Sequence, residues 1–112
     1  MNIPSNLLNN VAVLIAKLGN HQVAKSYLIE SINKLNTTTN EKLDKRYYEC
    51  TIKYNLARVL EQSGEKIDAR NLYMELNEKH PEYFECRSSM LFLYITFFYS
   101  KIQVKLDLLL YL

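Results

Sequence analysis

The stretch Tyr54-Asn55-Leu56-Ala57-Arg58-Val59-Leu60-Glu61-Gln62-Ser63-Gly64-Glu65-Lys66-Ile67-Asp68-Ala69-Arg70-Asn71-Leu72-Tyr73 decides the fold. Leu56, Ala57 and Leu60 recur at intervals of three and four, which marks one face of a helix. Ser63-Gly64 breaks that pattern, and Ile67, Ala69, Leu72, Tyr73 and Leu76 resume it, predicting a second helix from about Lys66 to Lys79. His80-Pro81 closes it, because proline disfavours helix in the residue before it. Two helices joined by so short a corner fold back as an antiparallel hairpin.

The same design appears upstream. Leu7, Leu8, Val11, Ile15 and Leu18 predict a helix over 6–18, with Pro4 and Ser5 at its start. Gly19-Asn20 makes the corner, and Val23, Ala24, Tyr27, Leu28, Ile32 and Leu35 share one face of a second helix. A polar run, Asn36 to Asn40, separates the two hairpins. Within it Thr38 and Glu41 have the spacing of a capping box. Leu43, Tyr47, Cys50 and Tyr54 extend the third helix backwards, so it is expected to be long. Small residues at Ala12, Ala24, Ala57 and Ala69 allow paired helices to approach closely, while larger side chains fill the gaps.

Gly64 follows Gly19 by 45 residues (64 − 19). Tetratricopeptide units repeat at about 34 residues as helix, turn, helix, which leaves roughly eleven extra residues between these two corners. The expected organisation is therefore one unit at 4–36, an inserted loop and helix extension at 37–49, a second unit at 50–83, and a degenerate or truncated third at 84–112. The predicted fold class is all-α, a short right-handed α-solenoid of two repeats and an incomplete third.

The totals agree with that reading. The chain has 112 residues, 48% hydrophobic and 23% charged, which suits a single small folded domain. Two Gly and two Pro are too few for an all-β fold rich in tight turns. A formal net charge of +2, with both signs interleaved, produces no field that would gather nucleic acid or an acidic membrane. Cys50 and Cys86 cannot form a disulfide framework, and the amino terminus lacks a secretory signal, so a reducing compartment is expected. Asn36-Thr37-Thr38 matches a glycosylation sequon, which carries no weight without secretion. Beyond Tyr83 the character changes. Met90 to Tyr99 is nearly all apolar, about half of the ~20 residues a membrane span needs. Helix buried against a partner is the expected reading of this tail, and a membrane anchor is the alternative.

The residues Asn9-Asn10-Val11, Leu18-Gly19-Asn20, Ala24-Lys25, Tyr54-Asn55-Leu56-Ala57-Arg58, Ala69, Leu72-Tyr73, His80-Pro81-Glu82-Tyr83 and Cys86 allow a narrower comparison. Over roughly residues 4–87 the chain resembles the tetratricopeptide scaffold subunits of the polymerase-associated factor (PAF) complex. Those subunits also carry a long insert before a Tyr-Asn-Leu-Ala-Arg helix. The resemblance implies a nuclear, non-enzymatic scaffold that holds protein subunits together on elongating RNA polymerase II and supports histone modification indirectly. It implies neither direct nucleic-acid nor membrane contact. After Cys86 a third repeat should bring a small residue near Leu91, a Gly corner and a further Ala, and none is present. An adaptor of the same fold with an unrelated partner, in trafficking or cell-cycle assemblies, is the alternative.

No chemistry of catalysis is legible. Gly19 and Gly64 are isolated rather than part of a phosphate-cradling loop, and His21 and His80 share no metal-ligand spacing with Cys50 or Cys86. No catalytic residue, cofactor or metal is expected. The candidate site is the surface that the first helix of each pair contributes to a concave groove. The expected groove positions are Asn6, Asn9 and Lys17 in the first unit and Tyr54, Arg58, Glu61 and Gln62 in the second. A clamp for a terminal carboxylate is rejected. Asn55 matches one clamp position, but Asn9, Val13, Glu85 and Ser89 stand where Lys, Asn and Arg would be needed.

Overall fold

The computed structural model describes residues 3–38, 42–81, 99 and 101–110, and all secondary structure among them is helical. Helix α1 spans Ser5–Lys17, α2 His21–Thr38, α3 Lys42–Gln62 and α4 Lys66–Lys79; α5 covers residues 101–110. Helices α1 and α2 form one hairpin, α3 and α4 a second, and α3 packs on both helices of the first.

Both corners are built alike. Gly19 and Gly64 have φ of 94° and 91°, a left-handed conformation that costs a residue with a Cβ about 1–2 kcal/mol. At the first corner Gly19 N donates to Ala16 O (3.0 Å) and Asn20 N to Ile15 O (3.2 Å). At the second, Gly64 N donates to Glu61 O (3.2 Å) and Glu65 N to Leu60 O (2.9 Å). This paired bonding is the Schellman arrangement, which satisfies carbonyls left over at a helix end. Asn20 and Glu65 then open the next helix, accepting from Ala24 N at 3.1 Å and Ala69 N at 3.0 Å. Each atom of the first corner has its counterpart 45 positions later.

The core follows the same offset. Ala12, Ala24, Ala57 and Ala69 are all fully buried, which lets the helices within each hairpin approach closely. Leu28 and Tyr73 occupy equivalent positions, and both are fully buried. One cluster comprises Ala57, Leu60, Ala69, Tyr73 and Leu76 inside the second hairpin. The other joins Ala12, Ala24, Leu28 and Leu35 of the first hairpin to Ile52 and Val59 of α3, so the leading face of the second hairpin lies on the first. The counterparts of Ile52 and Val59 are Leu7 and Leu14. Those are 49% and 61% exposed, because no element covers the leading face of α1 among the described residues.

One pair of equivalent positions differs in chemistry. Ser5 Oγ donates to Ser31 O (2.8 Å) and Ser31 Oγ to Ser5 O (2.7 Å), tying the start of α1 to the middle of α2. Their counterparts 45 residues on, Cys50 and Leu76, are buried apolar groups. Ser5 is thus an interhelix clasp and not the cap expected at that end; Pro4 is the cap residue and makes no side-chain cap bond.

Other expectations are corrected. Helix α2 runs on through the polar stretch to Thr38, with Thr37 Oγ1 donating to Lys34 O at 3.0 Å. Thr38 is therefore the last residue of α2 rather than a cap of α3, and Glu41 lies outside the described residues. Leu18, Tyr47 and Ile67, expected inward, are exposed, and the Tyr47 ring meets that of Tyr48 at 5.7 Å between centroids. Tyr73 is fully buried, and its hydroxyl donates to Glu61 Oε1 at 3.2 Å inside the second hairpin. The inserted segment's residues 39–41 and most of the 84–112 unit, including Met90 to Phe98, lie outside the described residues. Within the tail, 101–110 is helix with every residue exposed, and Gln103 Nε2 bonds Asp107 Oδ1 at 3.0 Å.

Candidate functional site

Where α3 crosses the first hairpin, a groove of 420 Å³ opens between α1 and α3. Its apolar floor is Val13 and Ala16 of α1 and Val59 of α3. Lys17, Gly19 and His21 line it at the first corner, and Asn55, Arg58 and Gln62 line it on α3. A space of this size is within the range of roughly 300–1,000 Å³ typical of binding clefts. A second hollow, of 510 Å³, is bounded only by the consecutive residues Gly64 to Asp68. One run of chain around a corner makes a dent rather than a cleft, so the first is the better candidate.

The helical wheel of α3 explains which residues enter the groove. Asn55, Arg58, Val59 and Gln62 repeat at three- and four-residue steps on the face toward α1. Tyr54, Ala57 and Glu61 lie on the neighbouring face toward α4. There the ring of Tyr54 meets that of Tyr73 at 5.9 Å between centroids, and Glu61 accepts the Tyr73 hydroxyl. Of the seven expected groove residues, Lys17, Arg58 and Gln62 come together. Tyr54 and Glu61, both half-buried, do not line this groove and contact Tyr73 in the second hairpin. Asn6 is exposed near the start of α1, its Oδ1 accepting from Leu7 N at 2.9 Å, away from the groove lining.

Asn9 also lies away from the groove lining. It is 8% exposed, and its Oδ1 accepts from Asn55 Nδ2 at 3.1 Å, bridging α1 and α3. A buried amide needs such a partner. Asn9 is therefore a strut between the hairpins, and it holds Asn55 at the groove wall. Val13, Ala16, Gly19, His21, Asn55 and Val59 line the groove without having been expected there. The available signal was the arc 55, 58, 62 on one helix facing 13, 16, 17 on the other. Choosing between that arc and the adjacent one requires knowing how α3 is rotated against α1.

Electrostatically the groove is one-signed. Its charged lining residues are Lys17 and Arg58, with no carboxylate among the described residues that line it. Four carboxylates elsewhere pair with other cations: Glu30, Glu49, Glu65 and Glu75. Lys25 Nζ reaches Glu65 Oε1 at 3.1 Å, linking α2 to the second corner and, together with the Ser63 hydroxyl, holding the Glu65 carboxyl below its ordinary range. Lys53 bridges Glu49 (2.9 Å) and Glu75 (3.5 Å), and Lys79 also reaches Glu75 (3.0 Å). The Lys53 hydrogen bond lowers the Glu49 carboxyl, and the Lys79 bond lowers Glu75. Burial pulls the Lys53 ammonium down, but its bond to Glu49 and the charges of Glu49 and Glu75 raise it overall.

Among the described residues no cluster of His, Cys, Asp or Glu could hold a metal ion, and no helix is long and apolar enough to cross a membrane. Cys50 is buried, 4% exposed. No known protein-family model matches the sequence.

Proposed function

We propose that the chain is a tetratricopeptide-type array, two units and an incomplete third in a short right-handed α-solenoid, that scaffolds other proteins through its concave groove. The observation that carries this reading is the pair of Schellman corners 45 residues apart, each opening an equivalent helix, with the second hairpin stacked on the first. Stacked hairpins of this kind extend a concave surface made from the first helix of each pair. The groove between α1 and α3 is the corresponding surface here.

The partners proposed are subunits of the polymerase-associated factor complex and of the RNA polymerase II elongation machinery, in the nucleus. Support for this finer statement is the resemblance over residues 4–87, including the insert that sets the 45-residue spacing. The test is affinity capture from nuclear extract with the full chain as bait and mass spectrometry of what is retained. Enrichment of the complex's subunits is the expected result. Their absence, from an extract in which they are detected, removes the family reading and leaves an adaptor with another partner.

A further inference from the structure

We infer that the groove between α1 and α3 selects an acidic segment of a partner protein, in which carboxylates flank an aliphatic side chain. The inference deepens the reading of the groove as a protein-binding surface and rests on it.

The first argument is the sign of the walls. Lys17 stands on one side of the groove, Arg58 on the other, and no Asp or Glu is among the described residues that line it. Among the described residues neither cation has a carboxylate partner, whereas Lys25, Lys34, Lys53 and Lys79 each have a glutamate in reach. Two unneutralised cations facing one cleft create a local positive potential that a complementary ligand would satisfy. Glu61, the nearest acid in sequence to these wall residues, points its carboxylate at Tyr73 on the other face of α3. The chain's charge distribution thus leaves this cleft positive although the net charge is only +2.

The second argument is the floor. Val13, Ala16 and Val59 form an apolar base between the cations, which favours burying an aliphatic side chain over a fully polar ligand. The 420 Å³ space accommodates one or two side chains of an extended or helical segment, not a folded surface. The planar Arg58 guanidinium and the Lys17 ammonium suit carboxylates at the margins of such a segment. Two cations over an apolar floor are a poor match to nucleic acid, which is gripped by runs of basic residues. The recognition differs from a terminal-carboxylate clamp, since the acids belong to side chains within the segment.

The test is selection of random decapeptides, each displayed in a loop with both ends tethered so that no free carboxy terminus contributes. The full chain is compared with Lys17→Glu/Arg58→Glu. Both positions are exposed, and circular dichroism checks that the double variant is folded. Wild type should enrich sequences with Asp and Glu around a Leu, Ile or Val, and the double variant should lose or invert that preference. Affinity for the best acidic decapeptide should fall about tenfold or more in the double variant, because two rim attractions become repulsions. It should also weaken at high salt, where the Debye length shrinks from ~10 Å to ~3 Å. Selected peptides without an acidic excess, or an excess that the double variant retains, overturn the acidic assignment while leaving a peptide groove. No selected peptide at all overturns the groove reading itself. A ten-nucleotide RNA that binds more tightly than any selected peptide overturns the choice of a protein segment.

Discussion

Ile52 and Leu7 occupy the same place in their respective hairpins, 45 residues apart, but among the described residues only Ile52 has a neighbouring hairpin to bury it. The structure leaves Ile52 1% exposed and Leu7 49% exposed. Ile52→Ala removes three carbons from a closed contact with the first hairpin. Truncations of this kind cost about 2–5 kcal/mol, the transfer of the lost carbons plus the cavity they leave. Leu7→Ala also removes three carbons, at ~0.8 kcal/mol for each when fully buried. With half of that surface already in water and no closed cavity, its cost should be about 1 kcal/mol. The gap between the two should be about 2 kcal/mol, a factor of roughly 30 in the folding equilibrium. Urea melts followed by circular dichroism measure both, and an unchanged slope shows that the midpoint shift reports stability. The melts are run at several protein concentrations, because an apolar face on α1 could be covered by association. Equal costs at every concentration, or a larger cost at Leu7, would refute the reasoning: the leading face of α1 would then be packed in the folded chain.

Further outcomes follow from single contacts. Asn55→Ala should destabilise by about 1–3 kcal/mol, since it strands the buried Oδ1 of Asn9; Asn9→Leu/Asn55→Ala should cost less than the two single changes added, as a double-mutant cycle in urea would show. Gly19→Ala and Gly64→Ala should each cost about 1–2 kcal/mol by thermal melting, and by similar amounts. A Cβ at either site meets nothing within 4 Å, so the left-handed backbone is the whole penalty. The Glu49 and Glu75 carboxyls are held below their ordinary value of 4.5, so their contribution is present above that pH and is lost as pH falls through the folded values. Lys53 is raised above 10.5, so its share is lost only as pH rises beyond that. Lys53→Met should therefore flatten the fall in stability on acidification below about pH 4.5, read from melts across that range. A slope identical to wild type would show that the ion pairs contribute nothing.

Helices and corners were legible because their signals are local. Apolar intervals of three and four residues, a glycine where φ must be positive, and a proline after His80 act within a turn or two of chain. That information placed α4 at its observed bounds and both glycine corners correctly. It failed at Thr38, where Thr37 bonds back to Lys34 and the helix continues through a segment composed like a turn. Periodicity also could not say whether Leu7 or Leu14 is covered, since an apolar stripe reads the same with or without a neighbour.

The candidate site divides along the same line. Lys17, Arg58 and Gln62 could be named from the sequence because the first helix of each hairpin was expected to line a groove. Asn9, Tyr54 and Glu61 could not be sorted from them, because one step around a helix separates a groove wall from a helix contact. Only the rotation of α3 against α1 and α4 turned Tyr54 and Glu61 toward Tyr73 and paired Asn9 with Asn55. That this chain forms helical hairpins follows from local backbone preferences and periodic burial, both written in its residues. The tertiary structure decided which side chains those hairpins leave facing one another across open space, because that depends on packing between residues more than forty positions apart.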